Sequence, residues 1–371
     1  MRIAIATDWF APRPGGIETQ LVGLADRLAA RGHEVDVITS TPNAMDGHGY
    51  RVRSIRSPTL PGAGVALTPA LLPELRQLLG AGYDVVHGHV SVVSPVGYCA
   101  VALAASLGLP SVLSFHSVLH ASRIWLGLAN RGLGIGDAPI IWAGVSDKVA
   151  EQLRRALPGV PVEVLPNGVD LAFWQGTTQV PHSGGARFIS AMRLHSKKRP
   201  RILLRAFAEA TGLQGTETLT FVGEGPEETA LRRDVVALGL DGGRVRFVSW
   251  SAAQSLRTLY GSSDVFVTAC EREAFGIAAL EARVAGLPVI AMRKAGSSEF
   301  LRHGEDALLC NDDAELVASI RRASADAQLR RLLTVSRPVV ERYDWPAVVE
   351  AHEAAYDRAR SRLNAARARA R

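Results

Sequence analysis

Short apolar runs rich in β-branched residues alternate with longer segments of helical period from Ile3 onward. The rhythm lapses once, near the middle, and then restarts. In the first part strands are expected at Ile3 to Thr7, Val35 to Thr39, Tyr50 to Ile55, Val85 to His87, Ser111 to Phe115 and Ala143 to Val145, with a helix at Glu18 to Arg31. Strands joined through helices pair in parallel and need helical cover on both faces, so the pattern predicts an α/β fold. This domain closes near Val162 to Asp170, where Asn167-Gly168 supplies turn chemistry. From Trp174 to Gly185 the residues have no period and read as a linker. Further strands are expected at Arg187 to Met192, Thr218 to Val222, Arg244 to Val248, Val265 to Thr268 and Val289 to Ala291. Helices fall between them at Arg199 to Ala210, Glu227 to Leu238, Ser255 to Tyr260 and Phe275 to Ala285. The predicted division is residues 1–173, a linker at 174–185, a second domain at 186–345 and a terminal segment at 346–371 whose helix covers about Pro346 to Arg362.

Composition narrows the class. A chain of 371 residues with 47% apolar content is long enough for two cores. Its three cysteines, Cys99, Cys270 and Cys310, are far apart and odd in number, which suits buried thiols in a reducing compartment. Ten histidines lie scattered without a His-Glu-x-x-His pattern, so no metal site is expected. Met1 to Asp8 reads as a strand entering a loop, with no leader pattern, and predicts a cytoplasmic chain. The apolar run Val90 to Leu109 is interrupted by Ser91, Ser94, Pro95, Gly97 and Ser106, and reads as a buried strand-to-helix unit. Lysine and arginine total 42 against 36 acidic residues, an excess concentrated at Arg358, Arg360, Arg362, Arg367, Arg369 and Arg371. No aromatic residues interleave with these, so no nucleic-acid partner is expected. The tail reads as a solvated helix end, or as a weak contact for an anionic membrane surface.

The richest chemistry lies between Cys270 and Ala291. Glu273 and Glu281 have seven residues between them, and Gly276 opens the helix that carries the second. The expected strand just upstream puts Glu273 in a strand-to-helix loop, the place where parallel sheets hold ligands. Unpaired amides and the dipole at a helix start favour phosphate there. Glu281, about two turns in, offers a carboxylate to paired sugar hydroxyls. Taken alone, such a pair is more often solvated helix-end charge.

Other candidates follow strand ends. Arg193-Leu194-His195-Ser196-Lys197-Lys198 carries cations suited to a diphosphate, Arg193 as a planar fork and Lys198 as a point charge. Gly15 and Gly16, after the first strand, let backbone approach a phosphate or sugar, although their spacing is not Gly-x-Gly-x-x-Gly. His116 ends the strand Ser111 to Phe115, and His87 and His89 stand at another expected strand end as acceptor-side residues. Val222-Gly223-Glu224-Gly225-Pro226 and Val248-Ser249-Trp250 follow two strands of the second domain.

The Glu-x7-Glu segment with Glu273-Ala274-Phe275-Gly276, the Arg193 to Lys198 run, the Gly15-Gly16 loop and the Gly223 turn occur in the order of the retaining glycosyltransferases of the GT-B type, and the chain resembles their family 4 group. The resemblance implies two Rossmann-like domains facing across a cleft, with a C-terminal helix crossing back to the first. It implies a UDP- or GDP-sugar as donor substrate, no tightly bound cofactor and no metal. Arg193 and Lys198 would grip the diphosphate, Glu281 the ribose and Glu273 the sugar hydroxyls, with Gly15, Gly16, Gly223, Phe275, Gly276 and Ile277 also at the donor. His116 would hydrogen-bond the donor sugar beside the reacting centre. Two departures stand out: Arg199-Pro200 replaces the glycine that often follows the lysine, leaving Lys197 or Lys198 open, and Ala295 replaces the first glycine of a pair before Glu299. The acceptor, whether sugar, lipid or small metabolite, is left open. Ile124-Trp125-Leu126-Gly127-Leu128 adds a second motive for peripheral membrane contact. Competing readings are a nucleotide-sugar epimerase or a phosphorylase on the same architecture, or an inactive glycan- or membrane-binding protein.

Overall fold

The computed structural model describes residues 1–13, 15–56, 68–119, 135–136, 138–250, 253–334 and 340–370. Pro14, the Ile124 to Leu128 segment and Arg371 lie outside the described residues. The chain forms two compact units, one built from Met1–Gly168 with Trp345–Arg371 and the other from Val169–Asp344.

The first unit is a seven-stranded sheet, every pairing parallel, in the order β3-β2-β1-β4-β5-β6-β7. Its strands are β1 (Arg2–Thr7), β2 (Glu34–Thr39), β3 (Tyr50–Ser54), β4 (Val85–Val90), β5 (Ser111–Phe115), β6 (Ile140–Gly144) and β7 (Val162–Val164). Ile3 faces Val35 on one side and Val85 on the other, so β1 is central and the winding reverses beside it. Helices α1 (Gly16–Ala30), α2 (Thr68–Leu79), α3 (Pro95–Ser106) and α4 (Asp147–Ala156) connect the strands. The apolar run from Val90 divides into the end of β4, a turn and α3, with Pro95 at the first helical position, where its missing N–H costs nothing.

The core of this unit is incomplete without the end of the chain. The last helix, α12 (Trp345–Ala370), contributes Trp345, Val348, Val349, Ala355, Tyr356 and Ala359 to the cluster around Ile3, Ile5, Leu21 and Leu24. Trp345 is 7% exposed, and its ring lies where Cβ atoms on Gly23 and Gly168 would stand. The Arg27 guanidinium caps the same ring, 4.4 Å from its centroid. The helix runs eight residues past the expected end at Arg362, to Ala370. Part of its basic charge is used internally: Arg358 grips Glu163 at 2.9 and 2.6 Å, and Arg367 donates to the Gly108 carbonyl at 2.8 Å.

The second unit is a six-stranded parallel sheet in the order β10-β9-β8-β11-β12-β13. Its strands are β8 (Arg187–Ala191), β9 (Thr218–Val222), β10 (Val245–Val248), β11 (Val265–Val267), β12 (Val289–Met292) and β13 (Ala307–Cys310). Helices α5 (Leu171–Gln175), α6 (Pro200–Thr211), α7 (Glu228–Ala237), α8 (Ala253–Gly261), α9 (Ile277–Val284), α10 (Asp313–Ala325) and α11 (Ala327–Thr334) complete it. α5, β13, α10 and α11 are additions to the elements read from sequence. In the aperiodic stretch after Trp174, Gln179 donates to the Ala285 carbonyl at 3.1 Å and the Val180 amide to Gly261 at 2.8 Å, so that segment is fastened to this unit. Among the described residues, no helix is long and apolar enough to cross a membrane.

Because Trp345 fills a pocket shaped by two glycines and a cation, Trp345→Ala is expected to destabilise the first unit by about 3–5 kcal/mol. Denaturant unfolding followed by amide exchange in each unit checks this: protection falls in β1, β4 and α1 while β8, β9 and β11 keep theirs.

Candidate functional site

In the second unit β8 is flanked by β9 and β11, so the loops leaving β8 and β11 diverge at the point where the winding reverses. Such a switch point opens a crevice at the C-terminal edge of a parallel sheet. Arg193 to Lys198 leaves β8 there, and Ala269 to Gly276 leaves β11. An ion pair joins the two loops, Lys198 Nζ to Glu273 Oε2 at 2.5 Å. Burial alone would push the Lys198 ammonium down, but the carboxylate beside it, with smaller help from Cys270, holds its pKa above the ordinary lysine value. Lys197 is exposed, and its backbone joins the loop: its amide donates to His195 Nδ1 at 3.3 Å and its carbonyl accepts from Cys270 Sγ at 3.6 Å. Of the two lysines left open by sequence, Lys198 is the one that faces Glu273.

Arg199 explains how the loop dispenses with glycine. It adopts the left-handed conformation, φ 56° and ψ 42°, that glycine would take most easily. Its guanidinium offsets that strain by bridging the Ala269 carbonyl at 3.2 Å, Glu271 at 3.1 Å and both oxygens of Asp313 at 2.7 Å. The β8 loop, the β11 loop and the start of α10 are thereby tied together. No sequence signal named this network, because its partners are distant in the chain. Arg193 is exposed, and its side chain has no hydrogen-bond or ion-pair partner among the described residues.

Gly276 caps α9 with φ 96°, a conformation that brings the backbone round beside Ser297. The Gly296 amide donates to the Glu273 carbonyl at 3.0 Å, so the loop after β12 buttresses the β11 loop despite Ala295. Gly223, after β9, has φ 132° and sits so close to the Met192 carbonyl that a Cβ there would collide with it. Its amide pairs with Val248 O at 2.8 Å, and Trp250 beyond is 43% exposed. Ile277 is partly exposed at the first turn of α9. Phe275, expected at the donor, turns its ring into the interior of this unit. It is 2% exposed and packed against Phe300 and Tyr343, with centroids 5.5 and 5.3 Å away, so only its backbone is available.

Glu281 is the most unusual group in this unit. Burial pushes its carboxyl up to about 8, and its side chain has no hydrogen-bond partner among the described residues. Nearby, Tyr260 donates its hydroxyl to the Ala278 carbonyl at 3.1 Å, so it does not serve Glu281.

In the first unit the loop after β1 carries Gly15 and the start of α1 at Gly16. Glu18 folds its buried carboxylate back against Gly15, 3.5 Å from Arg13, so the chain places an anion of its own at this helix start. Asp8, 1% exposed, holds the start of α3 by accepting from the Val96 amide at 3.3 Å; burial lifts its pKa to about 7 against the pull of the Val96 and Gly97 amides. His116 follows β5, is partly exposed, and approaches His89 Nδ1 through its Nε2 at 2.9 Å. His87 and His89 do not stand at a strand end open to an acceptor. β4 continues to Val90, and both are buried, at 0% and 3% exposure.

Residues 14–173 match the family model described as Glycosyltransferase Family 4, and residues 186–326 match Glycosyl transferases group 1. A subunit of the phosphatidylinositol N-acetylglucosaminyltransferase from Arabidopsis thaliana is 25% identical, covering 97% of this chain and 82% of its own length. A D-inositol 3-phosphate glycosyltransferase from Geodermatophilus obscurus is 28% identical, covering 96% and 87%. Among solved structures, Anabaena HepE in complex with UDP and glucose superposes with a TM-score of 0.77 at 20% identity, covering 96% of this chain and 99% of that one. With two parallel α/β units wound in this way and both halves matched by family models, the chain belongs to the family 4-like glycosyltransferases of the GT-B fold.

Proposed function

We propose that the chain transfers a hexosyl group, with retention of configuration and without a metal ion, from a UDP- or GDP-sugar to a hydroxyl of a sugar, lipid or small-molecule acceptor. The observation that carries the reading is Glu281, a carboxyl that burial holds near 8 with no hydrogen-bond partner among the described residues, on the helix opened by Gly276 and adjoining the Lys198–Glu273 pair. A carboxyl in that condition is completed by a pair of hydroxyl donors, which a ribose supplies. The complexes of HepE with UDP and with UDP-glucose favour a nucleotide-sugar donor, and the two relatives named for inositol acceptors make inositol and its phosphates the first acceptors to screen.

In this reading Arg193 and Lys198 meet the diphosphate, and Glu273 accepts from the sugar hydroxyls. The acceptor oxygen bonds to the anomeric carbon on the face from which the diphosphate departs. Its proton passes to the departing phosphate oxygen, while the two cations stabilise the charge that develops there. No carboxylate is assigned to a position beneath the anomeric carbon, which favours this same-face route over a covalent glycosyl-enzyme. From the first unit, the family resemblance assigns His116 to the donor sugar.

Incubation with UDP- and GDP-sugars, followed for free nucleotide and for isomerised sugar, tests the proposal. Release of UDP or GDP supports transfer, isomerisation points to an epimerase, and absence of both binding and turnover with every donor would sink it. Lys198→Ala is expected to lower kcat/KM by about a hundredfold to a thousandfold. Glu273→Gln is expected to bind the free nucleotide diphosphate more tightly, since Lys198 loses its competing carboxylate, yet to turn over more slowly.

The pH dependence has a definite sign. Without donor Glu281 keeps its proton until about pH 8. Hydroxyl donors favour the carboxylate, so binding releases a proton and donor affinity rises with pH until it levels off above about 8. Calorimetry in buffers of different ionisation enthalpy should detect that proton, and Glu281→Gln should remove it together with the pH slope.

A further inference from the structure

We infer that His89 is a positioning residue that holds His116 in the tautomer carrying its proton on Nδ1, so that His116 presents an N–H donor at the site; the inference rests on the assignment of His116 given above. The contact itself is one hydrogen bond between ring nitrogens, His89 Nδ1 to His116 Nε2 at 2.9 Å. One of the two nitrogens donates and the other accepts. Burial holds both rings uncharged, His116 near 3 and His89 well below the ordinary histidine value, so each carries a single proton.

The other edge of His89 decides the direction. Its Nε2 is fully enclosed and meets no hydrogen-bond partner among the described residues. Buried N–H groups left without an acceptor are rarer in proteins than buried acceptors left without a donor. The proton of His89 therefore belongs on Nδ1, where it is donated to His116 Nε2. The remaining proton of His116 is then on Nδ1, a nitrogen without a partner among the described residues.

The surroundings agree with this direction. His89 lines a cavity of about 10 Å³ with His116, His352, Ser114, Gln20 and Asn167, room for about one water. His352 Nδ1 donates to the Val348 carbonyl at 2.7 Å, which leaves its Nε2 as a lone pair. Gln20 is already doubly bonded to Gly168, at 2.8 and 2.7 Å. A cavity wall offering imidazole lone pairs suits a water that donates its hydrogens. His89 also lies against His87, with centroids 3.9 Å apart and ring planes tilted by 34°, and His87 is pinned by Tyr356 at 3.0 Å and Ser114 at 2.8 Å. The donor direction of His116 is thus anchored through β4, β5 and α12. A His116 fixed in this way donates to an oxygen of the bound sugar and takes no proton from the acceptor.

The ring-nitrogen NMR spectrum of the histidine-labelled chain tests this, with the His116 signals identified by their loss in His116→Gln. The wild-type chain is expected to show His116 protonated on Nδ1 with Nε2 as acceptor. His89→Phe, which fills the space without the bond, should shift His116 toward the Nε2–H form, whereas His89→Asn, whose amide still donates, should keep it on Nδ1. Protonation on Nε2 in the wild-type chain, or an unchanged spectrum in His89→Phe, would overturn the inference. If His89→Phe fails to fold, the wild-type and His89→Asn spectra still decide it. None of these readouts needs turnover, so failure of the transferase reading is separately visible. Where turnover is measured, His89→Phe should lower kcat with donor KM nearly unchanged, and His89→Asn should restore it.

Discussion

Each unit is wound outward from an inner strand, β1 in one and β8 in the other, and this constraint decides where chemistry can be placed. Parallel strands joined by crossovers send all their outgoing loops to one edge, and at the reversal two such loops diverge with nothing between them. In the second unit the gap beside β8 is spanned by a side-chain pair, Lys198 with Glu273, and by the Arg199 bridge. The remaining loops at that edge stack main chain on main chain, as Gly223 does on Met192. Backbone contacts leave these loops little room to rearrange, whereas the Lys198–Glu273 pair is an interaction that an incoming anion can exchange.

That difference gives the proposed site its electrostatic character. Lys198 and Glu273 neutralise each other while no donor is bound, and the pairing keeps Lys198 ionised in a place where burial alone would favour losing the proton. Glu281 is the opposite case: lacking a cation, it keeps its own proton. One carboxylate is stored as an ion pair and the other as a neutral acid, so neither presents an uncompensated negative charge to an anionic ligand.

How much of this the sequence disclosed depended on how local the signal was. β5 and β9 were read to the residue because Ser111 to Phe115 and Thr218 to Val222 are apolar runs with clear ends. β13 escaped notice because Ala307-Leu308-Leu309-Cys310 is short and lacks a β-branched residue. The choice between Lys197 and Lys198 could not be made from spacing, since it depends on a turn completed by Arg199 in a conformation that arginine seldom adopts. For a related reason the motif that places Phe275 at the donor carries no sign that its ring packs with Phe300 and Tyr343, which are distant in the chain. The links from His87 to Tyr356 and from His89 to His116 join positions remote in sequence, and no periodicity reports such contacts.

The division of the first unit into Met1–Gly168 and the segment from Trp345 bears on the order in which the molecule assembles during synthesis. Its sheet is translated first, but the faces of Leu21, Leu24 and Val85 that receive α12 stay uncovered until the whole of Val169–Asp344 has followed. At ordinary elongation rates that interval is on the order of ten to thirty seconds. The second unit is contiguous and has no such wait, so the half translated later can reach its native core first, leaving the earlier half as the species a chaperone would meet.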